Sequence, residues 1–137
     1  MSARIAIEAV VHRARSEVWT LFNLPEHITQ WNFASDDWRC PSAENDLRVG
    51  GRLCYRMEAK DGSFGFDFEG VYDQVALESK LAYTMPDGRK VETSFEDLAD
   101  KTKVRTAFDP DVENPADMQR AGWQAILDNF KQYAESS

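Results

Sequence analysis

Residues 53–70 read LCYRMEAKDGSFGFDFEG, two runs of alternating character around Asp61-Gly62. An Asp-Gly pair accepts the positive backbone angles of a tight hairpin turn, which most residues resist. With the turn centred there, Tyr55 faces Phe68, Arg56 faces Asp67 and Met57 faces Phe66, so like meets like across the pair. Strand side chains alternate sides. Leu53, Tyr55 and Met57 therefore share a face with Phe64, Phe66 and Phe68, while Arg52, Arg56, Glu58, Asp67 and Glu69 take the other. One aromatic face and one charged face mark an antiparallel sheet with a single side on a core. Arg56, Asp67 and Glu69 read as cross-strand ion pairs of the charged face, each of little energetic weight.

Moving outward, Pro86-Asp87-Gly88 fits a type I turn followed by a left-handed glycine, setting Tyr83 opposite Val91 and Leu81 opposite Thr93. A third turn over residues 98–101 puts Phe95 opposite Val104 and Thr93 opposite Thr106. At the start of the chain Ile5, Ile7, Ala9 and Val11 alternate with Ala6, Glu8 and Val10, the period of a half-buried strand. With a short strand near Leu47, six or seven antiparallel strands are expected. Gly50, Gly51, Gly65 and Gly70 lie in or beside them, where glycine permits bulges and bends.

Helical spacing appears in three places. Val18, Leu21 and Phe22 share one side of a short helix over 16–22, which Asn23 and Pro25 end. A second short helix runs over 25–31 with Pro25 at its first position and Ile28 and Trp31 on one face. Residues 32–46, with Asn, Asp, Ser and Pro around Phe33, Trp38 and Cys40, read as a packed-down loop. The last helix starts from Asn114 as N-cap, Pro115 at the first position and Asp117 as a capping-box acid. Trp123, Ile126, Leu127, Phe130, Tyr133 and Ala134 form its apolar face, and Lys131 suits its C-terminal dipole. Gly122 inside it costs ~1 kcal/mol relative to Ala, implying close backbone packing or room kept for a neighbour.

Composition narrows the classes of function. Sixteen Lys and Arg against 24 Asp and Glu leave a charge of -8 with no basic block, which argues against nucleic acid and anionic membranes as partners. No apolar run is long enough for a membrane span or a signal peptide, so the expected location is cytoplasmic. Cys40 and Cys54 are the only cysteines, too few for a disulfide framework. With His12 and His27 they show no metal-ligand spacing, and no metal or cofactor is expected. The 137 residues suit one domain over 1–137.

Strand, two short helices, antiparallel meander and long final helix imply an α+β domain in which the last helix crosses a curved sheet. The residues that fill this order resemble a known family. Ser16-Glu17-Val18-Trp19, Pro25-Glu26-His27 followed by Trp31, Ala34-Ser35-Asp36-Asp37-Trp38, Val49-Gly50-Gly51-Arg52, the run from Tyr55 to Gly70, and Gly122-Trp123 are similar to the SRPBCC or START-like superfamily. The likeness is to its branch of activator of heat-shock-protein-90 ATPase homologues, also called polyketide cyclase/dehydrase-like. The resemblance implies a helix-grip fold and an apolar cavity between the last helix and the sheet. In eukaryotic activators that resemble this domain, a separate N-terminal domain makes much of the chaperone contact, and this length is expected to leave no space for one.

The cavity expected from that resemblance would be lined by Tyr55, Met57, Phe66, Phe68, Tyr83 and Phe95 from the sheet and by Trp123 and Leu127 from the helix. Trp31, Phe33 and Trp38 would stand near its mouth. Each of these is individually as well explained as core packing; their number is what argues for a cavity. The expected guest is a small hydrophobic, aromatic or lipid-like molecule. An enzyme using the same cavity is the alternative, with Asp36, Asp37, Tyr55 or Tyr83 as acid or base. For Asp36 and Asp37 the competing reading is turn capping. A protein-interaction role, including chaperone ATPase stimulation, is the third reading.

Overall fold

A computed structural model of the chain describes residues 4–137. In chain order its elements are β1 (Ile5–Val11), α1 (Arg15–Asn23), α2 (Pro25–Trp31), β2 (Trp38–Asn45), β3 (Arg52–Ala59), β4 (Gly65–Ala76), β5 (Lys80–Thr84), β6 (Lys90–Asp97), β7 (Thr102–Phe108) and α3 (Ala116–Ser136). The strands form one antiparallel sheet in the order β1-β7-β6-β5-β4-β3-β2. From β2 to β7 each strand lies beside its neighbour in sequence, because each turn between them is short. Only β1 pairs across the chain, with β7.

The three registers follow the turn residues. Tyr55 pairs with Phe68, Arg56 with Asp67 and Met57 with Phe66. The connection itself is longer than a two-residue turn. The Ala59 N–H donates to the Phe64 carbonyl at 2.9 Å, and residues 60–63 form a loop with Gly62 at φ 77°. Centred on Asp61-Gly62, it keeps the same register. Tyr83 pairs with Val91 and Leu81 with Thr93, with Gly88 left-handed at φ 93°. Phe95 pairs with Val104 and Thr93 with Thr106. On the charged face Arg56 meets Asp67 at 3.4 Å and Glu58 at 3.0 Å, and Arg52 pairs with Glu69.

Four expectations need correction. Much of the loop expected over 32–46 is strand: β2 occupies the sheet edge, and Pro41 lies where its pairing shifts register between Arg39 and Ser42. An edge strand tolerates a residue without an N–H, so the breaker composition did not prevent pairing. The short strand expected near Leu47 is instead a turn. Asn114 does not cap α3. Pro115 is the N-cap residue, with no side-chain cap bond, because the Asn114 amide donates to Asp111, 3.2 Å away. Asp117 is solvent-exposed and faces Arg120 at 3.5 Å. Glycine also acts differently from expected: Gly70 stays in register with Leu53, and the shift in β4 lies beyond it, between Tyr72 and Gln74. A Cβ on Gly70 would lie 2.6 Å from the Tyr83 ring, so the glycine makes room for that ring. Gly122, by contrast, has nothing within 4 Å of where its Cβ would be, so close packing is not its role.

All three helices contribute to one apolar core against the sheet, in which Val11, Val18, Ile28, Val104 and Phe130 are fully buried. The C-terminal half of α3 is tied down by polar contacts. Lys131 Nζ donates to the Val10 carbonyl at 2.6 Å, Arg13 Nε to Ala134 O at 2.9 Å and Asn129 Nδ2 to Trp31 O at 2.9 Å. His27 Nδ1 and the Tyr133 hydroxyl are hydrogen-bonded at 2.6 Å. Towards its N-terminus α3 meets the sheet through Trp123, whose ring stacks on Phe108 with centroids 4.0 Å apart and planes 12° apart. Among the described residues no helix is long and apolar enough to cross a membrane.

Candidate ligand cavity

Strand alternation aims Tyr55 and Met57 of β3, Phe66, Phe68 and Tyr72 of β4, Leu81 and Tyr83 of β5, and Val91 and Thr93 of β6 towards the helices. Facing them are Trp123, Ile126 and Leu127 of α3, with Ile7, Phe22, Trp31, Asn32 and Thr106 completing the wall. Two aromatic groups prop the helix away from the sheet. At one end Phe130 packs edge-on against Trp31 (4.9 Å) and Phe22 (5.2 Å). At the other end stands the Trp123–Phe108 stack. Between these props Ile126 and Leu127 border a cavity of about 220 Å³. Phe66, 41% exposed, marks its opening.

The structure thus brings together Trp31, Tyr55, Met57, Phe66, Phe68, Tyr83, Trp123 and Leu127 of the anticipated set. Three do not join them. Phe95 lies beneath α1, edge-on to Trp19 at 5.2 Å and Phe22 at 5.3 Å, and is core. Phe33 lines a second, more open and more polar hollow with Ser35, Asp36, Asp128 and Gln132. Trp38 sits outside against Phe64 and Phe66, with centroids 6.0 and 6.1 Å away. Asp36 and Asp37 are exposed and absent from the cavity wall, so neither is placed to act as acid or base there. Sequence reasoning missed nine residues of the wall, among them Tyr72, Thr93 and Ile7. Alternation from Phe68 and Leu81 would have found the first two, and the β1 pattern the third.

The polar groups of the wall are few and ordered. Thr93 and Thr106 hydroxyls bond each other at 2.9 Å. Asn32 Nδ2 donates to Met57 Sδ at 3.2 Å. The Tyr72 hydroxyl donates to Asn45 Oδ1 at 2.5 Å, and Asn45 Nδ2 donates to the Asn23 carbonyl at 2.8 Å. Burial pushes the Tyr72 phenol up to about 12, against the pull of Asn45 and Tyr55. Burial, reinforced by the neighbouring tyrosines, raises Tyr55 well above the ordinary phenol value, and burial raises Tyr83 likewise. All three are neutral phenols at physiological pH. The wall carries no Asp, Glu, His, Lys or Arg among the described residues, and no cluster of three or more metal-ligating side chains occurs among them.

A family model described as "Activator of Hsp90 ATPase homolog 1-like protein" matches residues 12–135. No curated protein matches the chain. Among solved structures, an AHSA1-like protein from Aeromonas hydrophila is 44% identical with a TM-score of 0.91, over 97% of this chain and 92% of that one. Chr148 from Cytophaga hutchinsonii is 47% identical with a TM-score of 0.85, again over 97% and 92%. NE0264 from Nitrosomonas europaea, at 16% identity, shares the fold with a TM-score of 0.84 over 98% of this chain and 95% of that one.

Proposed function

The chain belongs to the activator of Hsp90 ATPase homolog 1-like family, and from that footing we propose that it binds a small, mainly apolar, aromatic molecule between α3 and the sheet. The fold commonly binds hydrophobic ligands. The observation that carries the reading is the cavity itself: about 220 Å³, walled by aromatic rings and free of charge. An apolar cavity of ~150 Å³ already accommodates benzene, so this one suits a guest of one or two rings and not a two-tailed lipid. The proposed setting is the cytoplasm, with a small molecule as partner in place of nucleic acid or membrane.

Thermal unfolding against a panel of aromatic compounds, with native mass spectrometry of protein purified from cells, tests the reading. A guest at about 100 times its Kd adds about 2.7 kcal/mol to stability, a rise in Tm of about 9 °C for a domain of this size. If no compound shifts the Tm and no co-purified mass appears, the reading fails.

A second reading, stimulation of a chaperone ATPase, is favoured by one observation. Phe64 and Phe66 are 60% and 41% exposed beside Trp38, an aromatic cluster on the surface of the kind that marks protein contacts. An Hsp90 ATPase rate unchanged on adding the protein dismisses it.

A further inference from the structure

Resting on the reading of the cavity as a binding site, we propose that Tyr83 sets its specificity: the guest carries a neutral oxygen that accepts a hydrogen bond from the Tyr83 hydroxyl. Most polar side chains of the wall are already engaged. Thr93 and Thr106 pair at 2.9 Å, the Asn32 amide donates to Met57 Sδ at 3.2 Å, and the Tyr72 hydroxyl donates to Asn45 Oδ1. The hydroxyls of Tyr55 and Tyr83 make no hydrogen bond among the described residues. No sealed side-chain oxygen or nitrogen among them lacks a partner, so both hydroxyls are reachable by a small molecule. Both residues belong to the cavity wall.

Of the two, Tyr83 is the more firmly placed. Its ring lies over Gly70, where a Cβ would come within 2.6 Å of it. Phe68 and Tyr72 flank Gly70 on the same face of β4. They meet the Tyr83 ring edge-on at 6.2 and 6.0 Å, with planes 87° and 85° apart. The ring is thus held from below and from both sides, and the hydroxyl at its tip is fixed before any guest arrives. A group already ordered gives up little freedom on binding. Tyr55, by contrast, is stacked on one side, by Phe68 at 6.2 Å.

Chemistry narrows what this hydroxyl receives. Burial keeps the Tyr83 phenol protonated, so it has a proton to donate and needs an acceptor. A carbonyl or hydroxyl oxygen on the guest supplies one. A carboxylate also accepts, but the wall has no Lys, Arg or His among the described residues to offset its charge, and an unpaired anion is costly to bring into an apolar cavity. A hydrocarbon of the same shape strands the hydroxyl, and sites with a buried hydrogen-bonding group reject such analogues.

Calorimetric titration with 2-methylnaphthalene, 2-naphthol, 2-acetylnaphthalene and 2-naphthoate tests the inference, since all four share one two-ring body. The tighter-binding of the two neutral oxygen compounds should exceed 2-methylnaphthalene by about five-fold or more, and in Tyr83→Phe that advantage should fall to about two-fold or less. 2-Methylnaphthalene itself should bind Tyr83→Phe at least as tightly as the parent, because no phenol is then stranded. A general loss of structure would weaken all the compounds together and leave the ratio unchanged. If 2-methylnaphthalene binds the parent as tightly as either oxygen compound, or if the advantage survives in Tyr83→Phe, the inference is overturned and the binding reading stands. Tightest binding of 2-naphthoate also overturns it, whereas failure of all four to bind removes both. The series on the unaltered protein keeps the neutral-oxygen inference open to refutation even if Tyr83→Phe does not fold.

Discussion

At the scale of single residues, Thr93 and Thr106 show how the cavity floor tolerates polar atoms. Their hydroxyls bond each other at 2.9 Å, so removing one strands the other. Thr93→Val should cost about 1–3 kcal/mol, and adding Thr106→Val should cost less than a second increment of that size; urea unfolding of the two singles and the double measures the coupling. The two tryptophans separate stability from binding. Trp19 is buried at 6% exposure against Phe95, and Trp19→Ala should lose about 3–5 kcal/mol. Trp123→Ala should weaken guest binding more than Trp19→Ala does, as titration of the two variants will show. Gly70 and Gly122 part company as well. Gly122→Ala should stabilise by up to ~1 kcal/mol, because nothing opposes the new methyl, whereas Gly70→Ala should destabilise by about 1–3 kcal/mol as the Tyr83 ring is displaced. Neither glycine's role is legible in the sequence alone, since the space around a missing Cβ is set by chain segments far away.

Among the elements, α3 joins sheet to cavity, and its C-terminal end depends on Glu135. The Lys131 ammonium at 2.6 Å, with the His12 amide and imidazole at 2.9 Å, holds this carboxyl at about 2, below its ordinary 4.5. Since folding lowers this pKa, the stabilisation is complete above about 4.5 and fades as pH falls towards about 2. Glu135→Gln should therefore lower Tm near neutral pH, and the gap from the parent should close progressively below pH 4.5. A constant gap across that range would contradict this account. The strands were legible where turn chemistry pinned them: Asp61-Gly62 and Pro86-Asp87-Gly88 sit at the centres of two correct registers. β2 was not, because Pro41 and its polar neighbours look like a loop unless the strand is known to lie at an edge. The start of α3 was misread for a related reason: Asp111, already accepting from the Glu113 and Asn114 amides at 2.9 Å, draws in the side chain that would otherwise cap the helix.

For the molecule as a whole, the alternation of strands and the apolar stripe of α3 were enough to set sheet against helix, and with them eight of the seventeen residues of the cavity wall. What they could not set was curvature. Phe95 shares a strand face with Val91 and Thr93, yet the last two line the cavity while Phe95 disappears under α1. Strand parity assigns a side of the sheet, and only the bend decides what covers each point along it. One pairing also governs how the chain is made. β1 is an apolar strand whose partner, β7, begins about ninety residues later, with Val11 opposite Thr102. At roughly 5–20 residues per second of synthesis, the nascent segment waits on the order of 5 to 20 s before that partner exists. Until then Ile5, Ile7 and Val11 have no ladder to join, and an emerging chain with such a delay gives the cell's folding helpers their longest opportunity at its first strand.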